Sequence, residues 1–137
     1  MNQPIVLPGT EVHTVHSDIM DFDFEISIQH PIADPGTPLP VIYATDANMG
    51  MGFTVDMTNM LILGGEIPPV LTVGIGYPVD GNDMEFITNR RMYDFSPTND
   101  EFQTGQLSES DLASGTVHAG GASSFIKFMQ DELWPWL

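Results

Sequence analysis

The sequence contains no cysteine, which excludes disulfide staples and thiolate metal sites and leaves the redox compartment unreadable. It is almost as poor in positive charge. Three basic side chains, Arg90, Arg91 and Lys127, stand against 19 acidic ones, for a formal charge of -16. A surface of that sign has no electrostatic grip on nucleic acid phosphates or anionic lipid, so neither nucleic acid nor a membrane is expected as a partner. The acidity fits a high-salt habitat, where screening relieves self-repulsion, and equally a solvated surface with no partner. No run approaches the roughly 18 apolar residues of a membrane-spanning helix. The first eight residues lack the basic start and apolar centre of a signal peptide, so a cytoplasmic or otherwise soluble location is expected.

What is present suits one domain or part of one: 137 residues, 42% of them hydrophobic, enough for a real core. Val41–Ala44 is an unbroken apolar run opened by Pro40, too short for a helix. It reads as a strand covered on both faces, as in a parallel sheet. Ligands of such sheets bind beyond the strands' carboxyl ends, which draws attention to Thr45, Asp46, Ala47 and Asn48. Before it, Val12–Ser17 reads as a first strand. From Met20 to Gln29 apolar and polar residues alternate, predicting an antiparallel strand near an edge with one wet face. Its acids are not a calcium loop, because the required glycine is missing and their spacing is strand alternation.

After the central run, Phe53–Leu63 has helical spacing with Thr54 as N-cap and Gly64-Gly65 as stop. Its methionines are core filling. Val70–Ile75 is a second apolar run, completing a right-handed strand, helix, strand unit. Gly74-Ile-Gly76 lacks the third glycine and following helix of a phosphate cradle. Residues 77–121 read as a long loop holding both arginines. There an arginine serves as salt-bridge partner to Asp94 or is aimed at a developing oxyanion. Ala122–Trp134 predicts an amphipathic helix, capped by a serine and ended by Pro135.

Four blocks carry a resemblance: Pro40–Asn48, Glu66–Pro78, Arg91–Thr98 and Gly120–Leu133. In this order and with these gaps they resemble the enterobactin-type siderophore esterases and related serine esterases of the α/β-hydrolase fold, over nearly the whole chain. The resemblance implies a three-layer α/β fold, with a mixed, mostly parallel sheet and an antiparallel N-terminal edge, cut off before the nucleophile strand. Residues 1–137 would then be one partial domain, the N-terminal half of a hydrolase. That family carries its nucleophile in a Gly-x-Ser-x-Gly elbow, and no serine of this sequence has glycines two before and two after it. No catalytic nucleophile or base is therefore expected here. His13, His16, His30 and His118 are too scattered to form a substitute site.

What the resemblance carries over is the oxyanion side. Asp46, Ala47 and Asn48 occupy the turn after the central strand, where Ala47 replaces the family's glycine and its N–H would hold the oxyanion. Arg91 fits the family's oxyanion arginine better than Arg90. The substrate implied is a small-molecule ester, with no cofactor and no metal. Without its neighbouring strand, Val41–Ala44 becomes an exposed hydrophobic edge, which calls for a complementary C-terminal segment or self-association. The alternative is a non-catalytic binding or assembly module on a remnant hydrolase fold.

Overall fold

The computed structural model describes residues 6–79, 83–98 and 119–137. The chain divides into two compact units, Met1–Val15 with Asp23–Pro78, and His16–Phe22 with Val79–Leu137.

The first unit is built on a four-stranded mixed sheet. Its strands are β1 (Thr10–Ser17), β2 (Phe22–Gln29), β3 (Val41–Thr45) and β4 (Leu71–Gly76), in the order β1-β2-β4-β3. β4 pairs antiparallel with β2 and parallel with β3, and Val41 lies opposite Leu71 and Thr45 opposite Ile75. The two apolar runs are thus neighbours, as the sequence predicts. The sheet is α/β and mixed, as expected.

Two strands differ from expectation in burial. β2 is antiparallel to β4 and next to the terminal strand β1, near an edge as expected, but its polar face is only partly wet: Asp23 is exposed, whereas Ser27 and Gln29 are buried along with Phe24, Ile26 and Ile28. The Gln29 amide nitrogen donates to the His30 carbonyl at 2.9 Å. β3 is not covered on both faces. It is the terminal strand among the described residues, and Val41 and Ile42 are exposed. Continuous apolarity is therefore no guide to burial here. It describes a strand suited to the interior of a wider sheet than the one these residues build.

The crossover helix α1 spans Ala47–Leu63, 17 residues, and so begins six residues before the predicted start at Phe53. Thr54 is not its cap: the hydroxyl donates to the Gly50 carbonyl at 2.9 Å, one turn back inside the helix. Gly50 and Gly52 each lower helix propensity by roughly 1 kcal/mol, which hides this first turn in the sequence. Tertiary packing overrides it. Ala47, Met51, Val55 and Thr58, on one helical face, are buried, and the first three form a core cluster with Leu7.

In the second unit the predicted loop 77–121 is corrected by a helix, α2 (Met84–Phe95). Asp83 caps it by accepting from the Phe86 N–H at 3.0 Å, and Glu85 in the first turn suits the helix dipole. Only Ile87 and Asp94 are buried along it, so its sequence shows almost no apolar period. Residues 80–82 and 99–118 of that loop, with His118, lie outside the described residues.

The C-terminal helix is α3 (Ala122–Phe128), and it continues through a π-helical segment, Met129–Leu133, into a last turn, α4 (Trp134–Trp136). Gly121 stands at its N-cap position with no side-chain cap, so the serine cap is corrected too. Nor does Pro135 end the helix. In a regular α-helix its ring would clash with the carbonyl four residues back. Here the Trp134 N–H reaches five residues back, to Met129, and the proline falls in the first turn of α4, where it is tolerated. The starts and ends join at the backbone: Gly121 N–H donates to Tyr93 O at 2.9 Å and Ala122 N–H to Ser96 O at 3.2 Å. Phe95 and Phe125 meet edge to face at 5.4 Å.

Candidate functional site

The turn from β3 into α1 is made by a single strained residue. Asp46 has φ 60° and ψ 35°, the left-handed region, which aspartate tolerates better than most non-glycine residues. Ala47, standing where the resemblance has glycine, follows with a helical backbone and is buried. The turn's positive φ therefore falls one residue before the alanine, and Ala47 needs no glycine angles.

Helical bonding begins at Met49, whose N–H donates to the Asp46 carbonyl at 3.0 Å, followed by that of Gly50 at 2.9 Å. The N–H groups of Ala47 and Asn48 thus lie outside the helical ladder, at the carboxyl end of β3 and at the positive end of the helix dipole. Such a pair suits a developing negative charge. The Asn48 side chain is engaged elsewhere, donating to the Tyr77 carbonyl and accepting from the Tyr77 N–H, each at 2.8 Å. What Asn48 can offer a ligand is its main chain.

β4 seats this turn. A Cβ on Gly74 would stand 2.6 Å from Met51 Sδ and 2.9 Å from Ala47 Cβ, and one on Gly76 would stand 2.8 Å from Asn48 Oδ1. The Gly74-Ile-Gly76 pattern is the seat of the helix start, a role the sequence signals only as glycine within an apolar strand. Sequence reasoning dismissed the phosphate cradle without finding this.

Arg91 belongs to the second unit, where it lies on α2 with its guanidinium 5.8 Å from the Phe95 ring centre. The ion pair predicted for an arginine with Asp94 is made by Arg90: Nε to Oδ2 at 3.1 Å and Nη2 to Oδ1 at 3.0 Å, with Asp94 wholly buried. Arg90 also stacks 3.9 Å above the Phe22 ring. It lines a cavity of about 740 Å³ with Met20, Phe22, Phe86 and Tyr93, and Arg91 does not. The family resemblance favours Arg91 over Arg90 for the oxyanion, and in the structure it is Arg90 that pairs with Asp94.

His13, His16 and His30 each face a carboxylate. Glu11 takes His30 at 3.0 Å and His13 at 3.4 Å, while His16 faces Asp18 at 3.6 Å. Hydrogen bonds from His30 and then His13 hold the Glu11 carboxyl below its ordinary value. No cluster of three histidine, aspartate or glutamate side chains able to hold a metal occurs among the described residues. No helix there is long and apolar enough to cross a membrane.

The sequence matches no protein-family model and no curated protein. Its fold does match solved structures. The BES protein from Bacillus cereus superposes with a TM-score of 0.77 at 27% identity, over 99% of this chain and 48% of that one. Siderophore hydrolase EstB from Aspergillus nidulans gives 0.73 at 20% identity, over 98% and 45%. An IroE-like serine hydrolase from Shewanella oneidensis gives 0.68 at 23% identity, over 93% and 37%. The chain thus shares the α/β-hydrolase-like fold of siderophore-esterase-type proteins and spans less than half the length of each of these three.

Proposed function

We propose that this chain forms the oxyanion-binding side of a serine esterase, which hydrolyses carboxylic esters through an acyl-enzyme with nucleophile and base supplied by a complementary C-terminal segment. The observation that carries this reading is the left-handed Asp46 at the end of β3, which leaves the Ala47 and Asn48 N–H groups outside the helix ladder beside the sheet's carboxyl end. Strain of this kind, roughly 1 to 3 kcal/mol, persists where the surroundings enforce it and clusters at sites of function.

When a serine attacks an ester carbonyl, the oxygen gains a full negative charge. The Ala47 N–H donates to it; the residue that the family resemblance assigns to balancing the charge is Arg91, on α2 of the second unit. A histidine takes the serine proton and returns it to the leaving alcohol, after which water repeats the sequence on the acyl-enzyme. The exposed β3 edge is where the complementary segment adds its strand. The fold shared with a siderophore hydrolase makes a siderophore ester the first substrate to assay.

The test is hydrolysis of p-nitrophenyl esters by this chain assembled with a segment that carries a Gly-x-Ser-x-Gly elbow. Arg91→Ala should then lower kcat roughly 100- to 1,000-fold, as loss of an oxyanion donor does. An assembled enzyme indifferent to Arg91 would remove that residue from the site.

A further inference from the structure

The cavity that Arg90 lines lies wholly within the second unit and holds about 740 Å³, inside the roughly 300 to 1,000 Å³ of small-molecule sites. Met20 and Phe22, at the turn from β1 to β2, form one wall. Phe86 and Tyr93, seven residues apart on α2, form the other, and Asp83 and Glu85 stand at its rim.

Each wall is held from behind. The Met20 N–H donates to Ser17 Oγ at 3.0 Å, and that wholly buried serine donates in turn to the Glu132 carboxylate. The Tyr93 ring lies against the backbone of Gly121, where a Cβ would stand 2.5 Å from it. Phe86 stacks on Phe22, with ring centres 6.3 Å apart and planes at 22°, and its N–H is the one that Asp83 caps. The space is therefore formed by contacts internal to the unit.

We infer that this cavity binds a small organic cation, an alkylated or quaternary ammonium. Three observations point to that charge. Aromatic faces attract cations through their quadrupole, and three of the lining side chains are aromatic. The carboxylates of Asp83 and Glu85 are negative, whereas the cation of the lining, Arg90, is matched by the wholly buried Asp94 through contacts of 3.0 and 3.1 Å. The chain as a whole carries -16, which gathers cations at its surface and repels anions.

Arg90 also shows what these rings accept. Its guanidinium lies 3.9 Å above the Phe22 ring and 5.2 Å from the centre of Tyr93. An anion entering the cavity would meet Asp83 and Glu85, and a neutral molecule would leave their charge unanswered. A bare metal ion finds no set of three ligating side chains among the described residues, so the charge must arrive on a diffuse, apolar body.

Isothermal titration calorimetry of the chain with choline at low ionic strength tests this, and it stands apart from any esterase assay. Saturable binding is expected, about 10-fold tighter than that of neohexyl alcohol, which has the same shape without the charge, and benzoate should not bind. Phe86→Leu and Glu85→Gln change exposed side chains, and each should weaken choline about 3-fold or more. Glu66→Gln, exposed in the first unit, removes the same charge and should not. Absent or non-saturable choline binding, neohexyl alcohol bound as tightly, or equal losses in Glu66→Gln and Glu85→Gln overturns the proposal.

Discussion

The side-chain amide of Asn48 holds the main chain of Tyr77 at both its N–H and its carbonyl, each at 2.8 Å. This fixes the first turn of α1 to the residue that follows β4. Asn48→Ala would leave two main-chain groups beside a buried tyrosine without partners, at about 1 to 3 kcal/mol each. Urea unfolding should show a loss of about 2 to 6 kcal/mol, with Asn48→Asp no better, since its second oxygen would face the Tyr77 carbonyl. A wild-type midpoint in Asn48→Ala would show that the clamp contributes nothing.

Gly74 and Gly76 should resist even alanine. The new methyl groups would lie within 3 Å of Met51 and Ala47, or of Asn48, and overpacking of this kind costs roughly 1 to 3 kcal/mol. Met51→Ala should restore part of the loss in Gly74→Ala, because Met51 Sδ is the nearest obstruction and a flexible one. Additive losses in the double variant would mean that the Ala47 Cβ, not the thioether, sets the limit.

The two arginines should separate cleanly. Arg90→Ala removes the ion-pair partner of the buried Asp94 carboxylate, and breaking such a pair costs about 3 to 5 kcal/mol. Arg91→Ala, with no part in that pair, should change the thermal midpoint far less. Equal destabilisation by both would mean that Arg91 is structural as well.

The strands and the pairing of the two apolar runs were legible because runs and alternation mark strands, though not which faces are covered: Val41–Ala44 and Val70–Ile75 stand side by side as read. The start of α1 was not legible, because Gly50 and Gly52 weaken propensity while the compensating contacts of Ala47 and Met51 with β4 are tertiary. α2 was hidden for the opposite reason. It buries an ion pair, Arg90 with Asp94, in place of an apolar stripe. At the turn after β3, to which the sequence drew attention, only coordinates show that Asp46 takes the left-handed backbone and that the Asn48 side chain is occupied.

Two groups should mark opposite ends of the pH range. Glu11 is held below 4.5 by His30 first and His13 second, so its contribution to stability is present above its unfolded value and is lost as pH falls through the lower folded one. Carbon-detected NMR titration should show the depressed value, and His30→Ala should move it back toward normal. Burial raises Tyr43 on β3 above 10.0, so its contribution holds below the unfolded value and is lost as pH rises through the folded one. The ultraviolet difference from Tyr43→Phe reads that ionisation. Covering the β3 edge should push it higher still, and an unchanged value on adding the complementary segment would place that segment elsewhere.

The most direct measurement is fluorophosphonate labelling read by intact mass, first with this chain alone and then with a complementary segment bearing the Gly-x-Ser-x-Gly elbow. The account predicts no adduct on any serine of this chain, no ester hydrolysis by it, and a single adduct on the added segment once the two assemble. A labelled serine within residues 1–137, together with turnover that its alanine variant abolishes, would contradict it.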